Sequence, residues 1–309
     1  DRRRAWFAFR QYADDHGWPV AVMGASEDFL PIYHAAGMHE MYVGDEAVVD
    51  VRRFNLDGGR NKGLRQAVNR IAKYGYRMEF HDPAHITPEL EASLRGLMTE
   101  SRRGEMERGF SMTLGRIFSA ADEGLLLAVC FGPDGTPAAF CQYVPAPAIK
   151  GYSLDLMRRS EREEHPNGLT DYVVVETMTH LREQGMVGLG LNFATMRGVL
   201  AGERGDGLSK KVERWFYRKM SDSMQIESLW KYNDKFDPDW VPRYACYDSP
   251  EHMLASAAAL AKAESWWEIP VIGRFFQPDA KGSSIPALPD PEPDELPSRV
   301  PVGATPDTD

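Results

Sequence analysis

Two residues in the stretch GYSLDLMRRSEREEHPNGLTDYVVVE, residues 151–176, are suited to chemistry: Asp155 and Arg158. A carboxylate can take a proton or hold a cation, and a guanidinium can hold a phosphate or a developing oxyanion. They stand three positions apart in what reads as a strand, so on a continuous strand they face opposite sides. They share a site only if the strand ends or bulges at Met157. The plainer reading of the same spacing is a structural ion pair at a strand end. A neighbouring Arg also lowers the pKa of an Asp and makes it a weak base unless burial offsets the effect.

The elements around this pair can be read from periodicity. WPVAVMG reads as a strand, SEDFLPIYHAAG as a helix closed by Gly37, and HEMYVGDEAVVDV as a strand or hairpin. NKGLRQAVNRIAKYG, residues 61–75, is a helix with Leu64, Val68 and Ile71 on one face. Lys62, Arg65, Asn69 and Lys73 lie nearly opposite, and Gly75 closes the helix. YRMEF returns as a strand. A helix from Thr87 and Pro88 carries Leu90, Leu94, Leu97 and Met98 inward. LLLAVCF and AAFCQYV flank the turn GPDGTP, GYSLDLM follows as a third strand, and a helix capped near Thr170 runs to Gly185. VGLGLNFA, LSKKVERWFYRKM and PRYACYD then read as strand, helix and strand.

That order predicts a mixed α+β chain of tandem GNAT-like acyltransferase folds with mostly antiparallel central sheets. The expected units are residues 1–85 (incomplete, carrying the basic helix 61–75), 86–250 (catalytic), a C-terminal helix and apolar segment at 251–276, and a disordered Pro-rich acidic tail at 277–309. In a GNAT-like sheet the strand YSLDLM splays from its neighbour near its C-terminal end. An acyl donor enters that gap against a helix N-terminus. The turn RRSEREEHPNG has one Gly and several acids, a poor cradle for the pyrophosphate of CoA.

Charge is distributed unevenly. The net charge is −10, and the tail at 277–309 supplies seven acids against two bases. Residues 52–77 hold Arg52, Arg53, Arg60, Lys62, Arg65, Arg70, Lys73 and Arg77 against Asp57 alone, which points to a polyanionic partner, RNA or anionic lipid. Lys210 and Lys211 extend that expectation. Cys130, Cys141 and Cys246 lack metal-ligand spacing and read as buried thiols. The sequence shows no phosphate-binding loop, no His cluster with ligand spacing and no apolar run long enough to cross a bilayer. DRRRAW reads as linker or juxtamembrane sequence with something removed upstream. ESWWEIPVIGRFF, residues 264–276, reads as a C-terminal helix and strand packed back on the domain, or as a lipid-interface segment.

Several segments together resemble one family: NKGLRQAVNRIAKYGYRMEF, YSLDLMRR, PNGLTDYVVVETM, GLGLNFA and LWKYNDKFDPDWVPRYACYD. The chain resembles the C-terminal cytosolic domain of the lysylphosphatidylglycerol synthases, also called multiple peptide resistance factors. The last motif spans Lys235, Phe236, Pro238, Trp240, Pro242, Arg243 and Tyr244. The resemblance implies transfer of an aminoacyl group, lysyl or alanyl, from aminoacyl-tRNA to a hydroxyl of a membrane lipid, phosphatidylglycerol, at the cytoplasmic face of the membrane. It implies no cofactor and no metal, and an upstream transmembrane domain. By position it makes Asp155, Arg158, Glu213 and Lys235 catalytic. Arg243, Asp171 and Glu176 become candidate substrate contacts, and Lys62, Arg65, Asn69, Lys73, Lys210 and Lys211 candidate contacts to tRNA or anionic lipid. The match is looser at Lys231 and Asn233. The alternatives are a Fem-like aminoacyltransferase acting on a peptidoglycan precursor and a non-catalytic domain that binds tRNA or anionic lipid.

Overall fold

The computed structural model describes residues 2–101, 117–119, 122–162, 164–195 and 226–249, with 251, 252, 256 and 259 beyond them. The expected helix LSKKVERWFYRKM, the segment 264–276 and the tail lie outside the described residues.

Among the described residues eight strands form one sheet in the order β1-β8-β2-β7-β6-β5-β4-β3. They are β1 (Ala21–Ser26), β2 (His39–Asp50), β3 (Arg77–His81), β4 (Leu126–Phe131), β5 (Pro137–Ala146), β6 (Gly151–Arg159), β7 (Gly188–Thr195) and β8 (Asp239–Tyr247). Among the described residues six α-helices accompany them: α1 (Arg2–Asp15), α2 (Leu30–Ala35), α3 (Lys62–Lys73), α4 (Pro88–Ser101), α5 (Leu169–Glu183) and α6 (Ile226–Asp234). Every described strand pair is antiparallel except β6 with β7. The fold is thus the expected mixed α+β arrangement.

Two apolar layers sandwich the β3–β6 end of the sheet. Leu64, Val68 and Ile71 of α3 and Val173, Val174 and Met178 of α5 pack on one face, against Ala128, Cys130, Cys141, Tyr143 and Leu154. Leu94, Leu97 and Met98 of α4 pack on the other, against Leu127, Val129, Phe140 and Leu156. Alternation along β4 and β5 divides the two sets, as a strand buried on both sides requires. A third cluster holds α1 and α2 on β1 and β8, through Ala13, Leu30, Tyr33, Tyr244 and Cys246.

The structure changes three expectations. Residues 2–15 are a helix with Ala13 buried and the Trp6 ring edge-on to Tyr33 at 4.8 Å, so DRRRAW opens a packed element. Arg10 and the backbone N–H of Val20 both donate to Asp248, tying α1 to the sheet. Next, α5 is preceded by Gly168 at φ 104°, not capped by Thr170. A Cβ at Gly168 would sit 2.9 Å from the Ala67 side chain, so only glycine lets α5 start this close to α3. Finally, the sheet does not divide at residue 85. β3 joins β4, while β7 and β8 lie beside β2, and residues 1–266 form one compact unit. Strand pairing is decided by tertiary register, so a linear reading could not place this division.

The sheet divides instead between β6 and β7. These parallel strands pair only at Tyr152↔Leu189 and Ser153↔Gly190, then run separately to Arg159 and Thr195. Four strands lie on each side of the resulting wedge. Its root is built of glycine. A Cβ on Gly151 would lie 1.8 Å from the Gly188 carbonyl oxygen, and one on Gly188 would lie 2.7 Å from Ile149.

Candidate active site

Asp155 is the extra residue of a β-bulge. Gln142 on β5 faces Leu156 while Tyr143 faces Leu154, so no β5 residue opposes Asp155. The bulge falls two residues before Met157, and it does what the spacing required. Arg158 pairs with Phe140 and so points to the α4 side, as Phe140 and Leu156 do. The Asp155 side chain is on that side too, because its Oδ2 accepts a 3.0 Å hydrogen bond from Gln142 Nε2. Asp155 and Arg158 therefore share a face beside the wedge, and one inserted residue is the cause.

Gln142 was not singled out by sequence, where it reads as one polar letter in an apolar strand. It is fully buried, and its Oε1 has no hydrogen-bond partner. A carboxylate is an acceptor only, so Asp155 turns the amide NH₂ toward itself and leaves Oε1 on the other side of the amide, buried and unpartnered. An orphaned buried acceptor beside a carboxylate suits a hydroxyl or ammonium donor from a substrate.

A second polar group lies at the wedge root. Arg243 on β8 donates to Glu46 Oε2 on β2, from Nε at 3.0 Å and also from an Nη. Ser153 Oγ on β6 lies 3.5 Å from Glu46 Oε1. Gly190 of β7 runs between them, and a Cβ there would sit 2.7 Å from Ser153 Oγ and 2.8 Å from Glu46 Oε1. Arg243, expected to contact substrate, is thus already engaged by a carboxylate. Glu46 and Ser153 were missed because their neighbours come from four different strands.

Lys235 and Asp171 meet at the start of α5. The Lys235 ammonium contacts both Asp171 oxygens, at 3.0 and 3.2 Å, and lies 4.4 Å from the centre of the Tyr232 ring. Burial pushes the Tyr232 phenol well up, so it stays protonated. The buried amide of Asn233 has no hydrogen-bond partner on either atom. Glu176 is one turn and more further along α5. Burial, and then the charge of Glu183, raise its carboxyl above the usual range. The charge of Glu176 acts on Tyr172 and Cys130, and its place five residues after Asp171 sets it on a different face of α5 from the partner of Lys235.

The basic stretch is neutralised more than its sequence suggests. Arg52 pairs with Asp50, Arg53 with Asp239 at 2.7 Å, Arg60 with Asp237 at 2.5 Å, and Arg77 with Glu79. Arg65 donates to the Leu56 and Gly58 carbonyls, and Arg70 to the Asn167 carbonyl at 2.6 Å. Asn69 and Lys73 line a surface pocket of about 440 Å³ with Arg70 and Tyr74. Lys62 lies at the first turn of α3. Glu213, Lys210 and Lys211 fall outside the described residues. Among the described residues no group of His, Cys, Asp and Glu side chains is arranged to hold a metal ion, and no helix is long and apolar enough to cross a membrane.

A model of the C-terminal domain of phosphatidylglycerol lysyltransferase matches residues 1–247. The lysylphosphatidylglycerol biosynthesis bifunctional protein LysX of Rhodococcus opacus is 37% identical over 275 residues, covering 88% of this chain and 24% of that protein. The protein of the same name from Mycobacterium avium is 35% identical over 285 residues, covering 92% and 24%. This chain therefore spans about a quarter of the length of these relatives. The solved structure of L-PGS from Bacillus licheniformis superposes with a TM-score of 0.66 over 82% of this chain and 76% of that one, at 24% identity, which bears on the fold. By the match over residues 1–247, the chain belongs to the family of phosphatidylglycerol lysyltransferase C-terminal domains.

Proposed function

We propose that this domain transfers an aminoacyl group, lysyl in the first instance and alanyl as the alternative, from aminoacyl-tRNA to a hydroxyl of phosphatidylglycerol at the cytoplasmic face of the membrane. The observation that carries the reading is the bulge at Asp155, which puts a carboxylate, a guanidinium and an orphaned amide oxygen on one face beside an open wedge. The names of the relatives support the lipid product, and their greater length leaves room for the membrane domain expected upstream.

The reaction is an ester exchange. The lipid hydroxyl oxygen attacks the aminoacyl carbonyl carbon, the bond from that carbon to the ribose oxygen breaks, and the hydroxyl proton ends on the departing ribose oxygen. Neither electrons nor phosphoanhydride energy are needed, so the proposal includes no cofactor and no metal. Asp155 accepts from the attacking hydroxyl, or from the substrate ammonium while it is ionised. Arg158 holds the lipid phosphate or the tetrahedral oxyanion. Gln142 orients Asp155 and offers Oε1 to the same donor. Lys235 and Asp171 stand at the start of α5, where the acceptor end of a nucleic acid can meet a cation and free backbone N–H groups. The test is transfer of radiolabelled lysine from lysyl-tRNA to phosphatidylglycerol vesicles, with alanyl-tRNA in parallel. No labelled lipid with either donor ends the proposal.

A further inference from the structure

The Arg243 guanidinium at the wedge root is held along one edge only. Nε and one Nη both donate to Glu46 Oε2. Among the described residues no acceptor meets the other Nη, so the second edge of the fork is left for a further acceptor. The two side chains are 18% and 19% exposed, sheltered enough for firm charged hydrogen bonds and open enough to meet a ligand. Glu46 keeps its place because Gly190 has no side chain. Its carboxylate passes over Gly190 of β7 toward Ser153 of β6, and a Cβ at residue 190 would fall 2.8 Å from Glu46 Oε1.

This pair shares a face with Asp155. Ala47 and Leu154 belong to the apolar layer of α3 and α5, so their neighbours Glu46 and Ser153 project to the opposite, α4 side. Asp155 is on that side too, through its hydrogen bond to Gln142. Ser153 stands two residues before Asp155, roughly 7 Å along a strand. Phe236, beside Lys235, is buried in the α5 layer instead. The two faces of the sheet at the wedge therefore carry different cations, Arg243 on one and Lys235 on the other.

We propose that Glu46 is a positioning residue that aims Arg243 at the phosphodiester of the lipid acceptor. A guanidinium gripped at one edge presents the other as a fixed fork, which matches two oxygens of a phosphate. The lipid is the ligand, rather than the nucleic acid, because Arg243 lies on the face of Asp155, which meets the attacking lipid hydroxyl. A glycerol headgroup separates that hydroxyl from its phosphate by three carbons, which suits a base and a phosphate clamp on neighbouring positions of one face. Arg158 is then left for the oxyanion. The identity of the ligand rests on the proposed reaction.

The test is titration calorimetry of the whole chain with dihexanoyl phosphatidylglycerol, which is water-soluble, beside fluorescence anisotropy with deacylated tRNA. The parent should bind the lipid. Arg243→Ala and Glu46→Ala should each weaken lipid binding about tenfold and leave tRNA binding unchanged. The double variant should bind no more weakly than Arg243→Ala, because Glu46 acts only through Arg243. Glu46→Gln, whose amide oxygen still accepts from Nε, should recover most of the loss. Gly190→Ala keeps both charges but displaces the carboxylate, so it should also weaken the lipid and gives a reading that does not depend on the folding of Glu46→Ala. A parent that binds no lipid, effects of the two alanines that multiply, or a loss that falls on tRNA overturns the proposal. So does tighter lipid binding by Glu46→Ala, which would make Glu46 a competitor of the phosphate. A parent that shows the expected binding pattern but forms no aminoacylated lipid from lysyl-tRNA or alanyl-tRNA refutes the reaction and leaves the role of Glu46 standing.

Discussion

The two polar groups flanking the wedge are built differently. Gln142, Arg158, Ser153, Glu46 and Arg243 project from paired positions of one sheet, and Asp155 from a bulge held between the paired residues Leu154 and Leu156. Lys235 and Asp171 sit at helix ends, with the Lys235 side chain 42% exposed. Sheet-borne groups lose little freedom when a substrate arrives, so they suit charge stabilisation in a transition state. A long side chain at a helix end adapts to its ligand and suits binding. The comparison teaches that a bulge can do in a sheet what a flexible loop does elsewhere. It redirects one side chain while its neighbours stay fixed.

The largest effect should separate the groups directly. Asp155→Asn and Arg158→Ala should each lower the rate of transfer by about 10²–10³-fold. Lys235→Met should act mainly on the KM for aminoacyl-tRNA. A kcat loss from Lys235→Met as deep as that from Asp155→Asn would erase the distinction. Next comes the wedge root. Gly151→Ala should destabilise the fold by about 3 kcal/mol or more in urea unfolding, because its Cβ would meet backbone, which cannot swing aside. Unchanged stability would mean that the root is looser than described.

Gln142→Leu keeps the volume of the side chain while removing the donor to Asp155 and the unpartnered oxygen. It should cost about 1.5–3 kcal/mol of transition-state stabilisation in kcat/KM with little change in melting temperature. A matching fall in melting temperature would make Gln142 structural. The smallest effect concerns Glu176. Its folded pKa is raised, so its contribution to stability is full below the usual carboxylate range and is lost as pH rises through the raised value. Glu176→Gln should therefore raise the melting temperature at neutral pH by about 2–4 °C at most, and the gain should vanish in acid. A gain that persists in acid would contradict the burial of this carboxyl.

Much of the fold was legible in the sequence. The inward stripes of α3 and α4, the alternation of β4 and β5, and the Asp134–Gly135 turn are local features. In that turn Asp134 accepts from the Thr136 N–H at 3.0 Å and Gly135 takes φ 82°. The helical character of residues 2–15 was hidden by an arginine run, because its buried side is only Trp6 and Ala13 and gives a weak periodic signal. The site was half legible. Asp155 and Arg158 stand out as charges in an apolar strand, whereas Glu46 and Gln142 look ordinary until the strands are aligned.

The basic stretch shows the opposite error. Counted along the chain, residues 52–77 carry eight bases to one acid, but Asp237 and Asp239 return from far downstream to meet Arg60 and Arg53. Charge balance is a property of space, not of a sequence window.

By itself the sequence determined most of the described helices and strands, much of the core, and which family motif the chain carries, since each depends on residues close together in the chain. Only the tertiary structure decided where β6 leaves β7, that Asp155 is the bulged residue, and that Glu46 and Arg243 face Ser153 across the root. Register between strands is set by packing over the whole sheet, and a shift of one residue would turn Asp155 to the other face.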